Sequence, residues 1–356
     1  VKLSLLDRSR TRAGEPERRA LTHTVERAVA AEQLGYGRFW VAEHHGVPGI
    51  ASGAPAVLLA AVGARTASIR LGSGGVMLPN HQPVVVAEQF LMLAALHPGR
   101  VDLGVGRSLG FTAPVRRALR RPDGERDLFV DDIAELRSYL EGTAPVTARP
   151  VLAEEIPVFV LATGSGIGVA AALGLPVVLG GPVLGSPDLS ELVTAYRRDF
   201  RPHRGSRPHV TVSLDVLVAE TDAEARALAL PEVWAMVQAR RTGVFEALEP
   251  VSAIRGRRLA GRVQELVERG LDGVAAGAPG TVRRRLERIA DLTGADELLA
   301  SGSTYDRRAL TASDAALAAL LIDSGQLAAR QAREGNREHH PPGQIGAVTS
   351  RHGGGR

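Results

Sequence analysis

The sequence predicts an α/β protein, a single TIM-type β/α barrel with a helical insertion late in the barrel, and three observations carry that prediction. Strand-like and helix-like segments alternate along most of the 356 residues. Three early runs, RFWVAEHH (38–45), IRLGSGGVMLPNH (69–81) and RVDLGVGR (100–107), each end in polar, reactive or glycine-rich residues. Strand ends of that kind are where a parallel barrel builds its active site. The length allows two average domains or one barrel with insertions, and the regular alternation favours the single barrel.

Each element has its own local signal. Residues 2–6 (KLSLL) form an apolar first strand ending at Asp7 and Ser9. Residues 17–34 carry Leu21, Val25, Ala28 and Val29 at helical spacing and stop at Gly35, a favoured residue just past a helix end. A second strand at 39–42 is followed by a Gly- and Pro-rich loop and an Ala-rich helix at 55–64 with Pro55 in its first turn. The third strand (69–72) runs into small residues, a turn at Pro79 and a helix over 84–96. HPGR (97–100) is a turn before the fourth strand at 101–104, and 128–140 is helical up to Gly142 and Pro145. The fifth strand (158–161) leads through TGSG into a helix at 169–173, closed by Gly174. Strands at 176–179, 209–221 and 297–303 complete the barrel, but 271–276 is also strand-like, so nine candidates compete for eight places. Residues 222–262 read as the Arg-rich helical insertion, of the kind that covers a site. The barrel is thus expected over 1–328, and 329–356, without periodicity, as a disordered basic tail.

Composition narrows the chemistry. With no cysteine, disulfides, thiolate catalysis, cysteine-ligated zinc and iron–sulfur clusters are excluded. Lys2 is the only lysine, which removes an interior Schiff base and a Walker-type phosphate lysine. A bound phosphate therefore needs arginine or backbone amides. The net charge of +4 is made of arginines spread among 39 acidic residues, without interleaved aromatics, so no nucleic-acid partner is expected. No apolar run approaches the roughly 20 residues that cross a bilayer, and 1–10 lacks a signal-peptide core. A soluble cytoplasmic protein with no membrane partner is expected.

Several clusters have the right residue types for a site, and each keeps two readings. Gly72, Gly74 and Gly75 mark either a bulge held close to a ligand or a flexible turn before Pro79. Arg107, following Gly104 and Gly106, suits a phosphate or carboxylate, or else a surface ion pair. Thr163, Gly164, Ser165 and Gly166 stand where a strand enters a helix, so they offer an anion site, an ordinary N-cap, or both. In Glu43-His44-His45, strand alternation keeps His44 from pointing with both neighbours, so one histidine is structural and the other a base, donor or metal ligand. A metal set of Glu43, His44, His81 and Asp7 has unconvincing ligand count and spacing, and no metal is expected. A barrel hydrolase needs two carboxylates about 5–9 Å apart. Asp7, Glu43 and Asp102 are its early candidates, and the chain is only 4% aromatic, little for a sugar cleft.

The runs WVAEHHGVPGIASGAP (40–55) and LGSGGVMLPNHQPVVVAEQFLMLAALHPGRVDLGVGR (71–107) closely resemble the luciferase-like flavin-dependent monooxygenases. The opening LSLLDRS, the later GLPVV and TVRRRLERIADLTGADELL (281–299) fit the same family, so the resemblance covers most of 2–322. It implies a barrel that binds reduced FMN at the C-terminal strand ends. Flavin reacts there with dioxygen to a peroxide at carbon 4a that oxygenates a hydrophobic small molecule, such as a natural-product intermediate. It also implies a separate NAD(P)H-dependent reductase and a homodimer. A related branch uses a deazaflavin and transfers hydride, which leaves a deazaflavin-dependent dehydrogenase as the alternative. A barrel hydrolase and a non-catalytic flavin-binding protein are the alternatives of another class.

By position, the resemblance makes Gly74-Gly75 a non-prolyl cis peptide under the flavin ring and His44 the active-site histidine. It puts Arg107 on the flavin phosphate, with Thr163, Gly164, Ser165 and Gly166 as the second phosphate segment. Three departures stand out. Gly106 replaces the cysteine of light-emitting relatives, Gly166 a common hydroxyl residue, and GGPVLG (180–185) a polar stretch, so light emission is not expected and the substrate pocket is altered.

Overall fold

A computed structural model describes residues 1–110, 112–121 and 126–322. The tail expected at 329–356 lies outside the described residues. Among the described residues, ten strands and twelve α-helices follow one another along the chain. The first half runs β1 (Lys2–Asp7), α1 (Arg18–Gln33), β2 (Arg38–Val41), α2 (Pro55–Gly63), β3 (Arg70–Ser73), β4 (Val76–Met77), α3 (Pro83–Leu96), β5 (Val101–Gly106), α4 (Ala113–Ala118) and α5 (Phe129–Leu140). It continues with β6 (Val158–Ala162), α6 (Gly166–Leu173), β7 (Val177–Gly180), α7 (Leu189–Asp199), β8 (Val210–Val218), α8 (Asp222–Thr242), α9 (Val251–Arg255) and α10 (Gly261–Gly273). The last elements are β9 (Ala275–Gly277), α11 (Pro279–Thr293), β10 (Glu297–Ser301) and α12 (Arg307–Leu321).

Eight parallel strands, β1, β2, β3, β5, β6, β7, β8 and β10, close on themselves through β10 pairing with both β1 and β8. The ninth candidate is resolved by the length of β8. Its first half, Thr211–Asp215, pairs β10 inside the barrel, and its outer half, Val216–Val218, pairs β9 outside it. β9 therefore belongs to the insertion. That unit does not stop at 262: α10 packs on α8 through Val233, Trp234, Val263, Val267 and Leu271. Its entry, α8, is fixed by a capping box in which Thr221 and Glu224 satisfy each other's backbone N–H groups.

Side chains inside the barrel form layers. The floor is charged: Arg38 and Arg70 both donate to Asp102, Arg38 also donates to Glu297 at 3.1 Å, and Ser4 donates to Glu297. Above it lie Leu6, Trp40, Phe159, Val178 and Leu299. The Trp40 indole meets Phe159 edge-on at 5.1 Å and lies against Gly72 and Gly104. A Cβ at Gly72 would strike the indole nitrogen, so this glycine makes room for Trp40 rather than for a ligand or a turn. The charged floor and apolar middle close one end, leaving the C-terminal strand ends as the open face of the barrel.

Candidate active site

At the open end of β2, Glu43 is buried while His44 and His45 are half-buried. Glu43 Oε1 accepts from His45 Nε2 at 2.6 Å and from His81 Nε2 at 2.7 Å, and Oε2 accepts the Met77 N–H at 3.0 Å. Burial alone would raise the Glu43 carboxyl, but the two histidine hydrogen bonds outweigh it and hold the group at about 2. His44 is outside this cluster. Its Nδ1 lies against the Glu43 carbonyl, and its backbone N–H donates to Ser52 O at 2.9 Å. Burial lowers the His44 pKa, opposed by the Glu43 carbonyl and aided by the positive charges of Arg8 and Arg10, so the ring is neutral near pH 7.

The four residues weighed as a metal set from the sequence do not come together. Among the described residues the group that converges is Glu43, His45 and His81, not Glu43, His44, His81 and Asp7. Asp7 is taken up by Arg27 at 2.9 Å, Thr24 at 2.7 Å and the Ser9 N–H at 2.7 Å. Asp102 lies on the floor with Arg38 and Arg70, at the opposite end of the barrel from Glu43. The three early carboxylates considered for a hydrolase thus do not form one pair at the open face.

Gly74-Gly75 is a cis peptide bond, between β3 and β4. A Cβ at Gly74 would stand 2.6 Å from Leu6 Cδ1, and one at Gly75 would stand 2.8 Å from the Gly104 carbonyl. Neither position has room for a side chain. Gly106 and Gly164 differ: a Cβ at Gly106 meets only Val76 O at 3.9 Å, and one at Gly164 meets nothing within 4 Å.

The β6–α6 segment faces the end of β5. Thr163, Gly164 and Ser165 are exposed, and Ser165 occupies the N-cap position of α6 without making a side-chain capping bond. Its hydroxyl instead accepts from Arg107 Nη1 at 3.1 Å. The ordinary N-cap reading therefore fails for Ser165. The amides of Gly166 and its neighbours at the start of α6 remain as donors. Arg107 also pairs with Asp127, with both side chains substantially exposed.

A second polar cluster at this face has no counterpart in the sequence reading. Arg8, just past β1, donates to Asp215 of β8 at 2.6 Å, Ser301 of β10 at 2.9 Å and Glu232 of α8 at 3.1 Å. Arg10 donates to the other Glu232 oxygen at 2.7 Å and stacks on Phe245 at 4.2 Å. Burial would raise the Glu232 carboxyl, and the two arginines bring it below the ordinary value. The available signals were Asp215 interrupting an apolar strand and Glu232 beside Pro231 within a helix. The insertion also reaches the β2–α2 loop, where the Gly49 N–H donates to Phe245 O at 2.7 Å and Val47 and Ile50 pack with Met236, Ala239 and Phe245.

This geometry has counterparts among known proteins. A family model described as luciferase-like monooxygenase matches residues 1–297. A luciferase-like monooxygenase of Escherichia coli (strain K12) is 37% identical over 318 residues, 87% of this chain and 93% of that protein. The crystal structure of apo-MsnO8 superposes with a TM-score of 0.80 at 33% identity, covering 90% of this chain and 98% of that one. At 17% identity the fold alone is shared with two ligand-bound structures. One is the oxygenating constituent of 3,6-diketocamphane monooxygenase from Pseudomonas putida with FMN, at a TM-score of 0.69, with 89% of this chain and 96% of that one covered. The other is an F420-dependent secondary alcohol dehydrogenase with an F420-acetone adduct, at 0.65, with 90% and 99% covered.

Proposed function

Because the chain belongs to the luciferase-like monooxygenase family and is an oxidoreductase, we propose that it is a flavin-dependent monooxygenase. It uses reduced FMN and dioxygen to oxygenate a hydrophobic small molecule, of which a natural-product intermediate is one kind. The observation that carries this reading is the meeting of Arg107 with Ser165 beside two open glycine positions, Gly106 and Gly164. An anion fits there by exchange with the exposed Asp127 carboxylate, since a guanidinium fork, a hydroxyl and helix N-terminal amides lie beside glycines that leave space open.

When bound, reduced FMN supplies the electrons that activate dioxygen. The chain's own residues bind, orient and shield. Arg107, Thr163, Ser165 and the backbone of Gly164 and Gly166 hold the phosphate, while Gly74 and Gly75 support the ring without a side chain. His44, neutral because of its burial, accepts or returns a proton at the reacting end. The insertion, tied to Arg8 and Arg10 through Glu232, keeps water from the mouth.

Reduced flavin comes from a separate NAD(P)H-dependent reductase in the cytoplasm. Among the described residues no helix is long and apolar enough to cross a membrane. The enzyme pairs with a second copy through α2 and α3, where Val57, Val85, Met92 and Leu96 are exposed apolar side chains. The test is titration with reduced FMN, oxidised FMN and a deazaflavin, followed by mixing the reduced complex with dioxygen. We expect preferential binding of reduced FMN and an oxygen-dependent transient in the flavin spectrum. Preference for the deazaflavin, as in the F420-bound neighbour, makes the chain a dehydrogenase. Flavin binding without turnover makes it a binding protein, and no binding removes the flavin reading in favour of a hydrolase.

A further inference from the structure

The cluster of Glu43, His45 and His81 has a capacity that the flavin reading does not use. We propose that these three side chains bind one divalent transition-metal ion of the zinc or iron(II) class. Their ligand atoms all lie within 4.8 Å of one another, and no other group of three His, Cys, Asp or Glu does so among the described residues. Glu43 is the fixed member. Its side chain is fully buried, and the Met77 N–H anchors Oε2, which leaves Oε1 as the oxygen on which both Nε2 atoms converge.

The two imidazoles are the adjustable members. Their side chains are 23% and 29% exposed, and the rings stand 6.3 Å apart at a tilt of 51°. An ion held at about 2.0–2.1 Å by each ligand in a tetrahedral arrangement sets neighbouring ligand atoms about 3.3 Å apart. The present separations of 2.6 and 2.7 Å therefore widen by a swing of the half-exposed rings. Two imidazole nitrogens and one carboxylate oxygen suit zinc, iron(II) or nickel rather than calcium or magnesium, which prefer oxygen alone. Three protein ligands leave a further position for water. Ligation uses the lone pair of each Nε2, so the ring proton that now faces Glu43 is carried on Nδ1 when the ion is bound.

The experiment needs no flavin, so its result is independent of the flavin reading. The flavin-free chain is treated with a chelator, desalted, and titrated with Zn2+ by calorimetry and with Co2+ by visible d–d absorbance. The same titrations are made on H45A, H81A, E43Q and the double variant H339A/H340A, each checked by far-UV circular dichroism. His339 and His340 lie outside the described residues and offer the competing histidine pair. We expect one ion per chain, at least tenfold weaker binding in each correctly folded single variant, and unchanged binding in the double variant. H45A and H81A change half-exposed rings and keep the test decisive should E43Q fail to fold. Absence of saturable one-to-one binding overturns the proposal and makes the cluster a hydrogen-bonded array only. Binding that survives H45A and H81A, or is lost in H339A/H340A, places the ion elsewhere and overturns it equally.

Discussion

Arg107, at the end of β5, donates to the Ser165 hydroxyl at 3.1 Å, joining two loops that are 58 residues apart in the chain. Both side chains are exposed rather than committed to the core, and the Asp127 carboxylate that also pairs with Arg107 is exposed as well. Arg107→Ala is expected to weaken FMN binding by about 1.5–3 kcal/mol, the worth of a hydrogen bond to a charged group. Ser165→Ala should cost about 1 kcal/mol. Fluorescence titration measures both, and unchanged affinity in the arginine variant moves the phosphate to another site.

His44, half-buried at the open end of β2, is the residue we propose for proton transfer. His44→Ala should slow turnover by about 10²-fold or more, the usual scale of general acid–base assistance, while leaving FMN affinity within twofold. Steady-state rates and a flavin titration on the same preparation separate the two effects. A fully active variant removes the catalytic role.

Gly72 touches Trp40 in the apolar layer beneath the site. Gly72→Ala forces an added carbon into the indole and is expected to destabilise the protein by about 1–3 kcal/mol. At Gly164 nothing stands within 4 Å of an added Cβ, so Gly164→Ala should stay within about 0.5 kcal/mol of the parent. Urea unfolding compares the two, and equal costs would contradict the assignment of Gly72 to packing.

Glu232 pairs with two arginines from the β1–α1 loop and ties the insertion to the barrel. Glu232→Ala leaves the buried Arg10 without its carboxylate and should cost about 3–5 kcal/mol. Limited proteolysis should then cut the loop between α8 and α9 faster than in the parent chain. A variant with parental stability and cleavage rate would dissociate the insertion from this ion pair.

Glu297 on the barrel floor gives a pH signature. Burial would raise its carboxyl, but His209, Arg38 and Ser4 outweigh that and hold it at about 2, against the ordinary 4.5. A folded-state pKa below the unfolded one stabilises the protein above pH 4.5, and the contribution is lost as pH falls towards 2. The urea midpoint should be flat from pH 7 to 5 and drop below pH 4.5. The drop should be shallower in Glu297→Gln.

Much of the fold was legible because its signals are local. Gly35 and Gly174 end α1 and α6 in the left-handed conformation that glycine adopts freely, and the apolar strand cores mark nine candidates that include all eight barrel strands. The eighth place was ambiguous because Ala275–Gly277 is strand-like by itself. Only pairing shows that it meets the outer half of β8. The candidate site residues were legible as positions in the same way. Arg107, Ser165, Gly74 and Gly75 stand at strand ends that can be read from the chain.

Convergence could not be read. That His45 rather than His44 joins His81 on Glu43 depends on where β2 stops and which way the next residues turn. That Arg8 meets Asp215, Glu232 and Ser301 depends on closure of the barrel between β1, β10 and β8 and on the seating of α8. By itself, the sequence determined the alternation of elements, the residue types at each strand end and the chemistry that cysteine and interior lysine could not supply. The tertiary structure decided which of those residues share a hydrogen bond. Periodicity is a property of neighbours along the chain, whereas partnership is set by register and closure between strands distant in it.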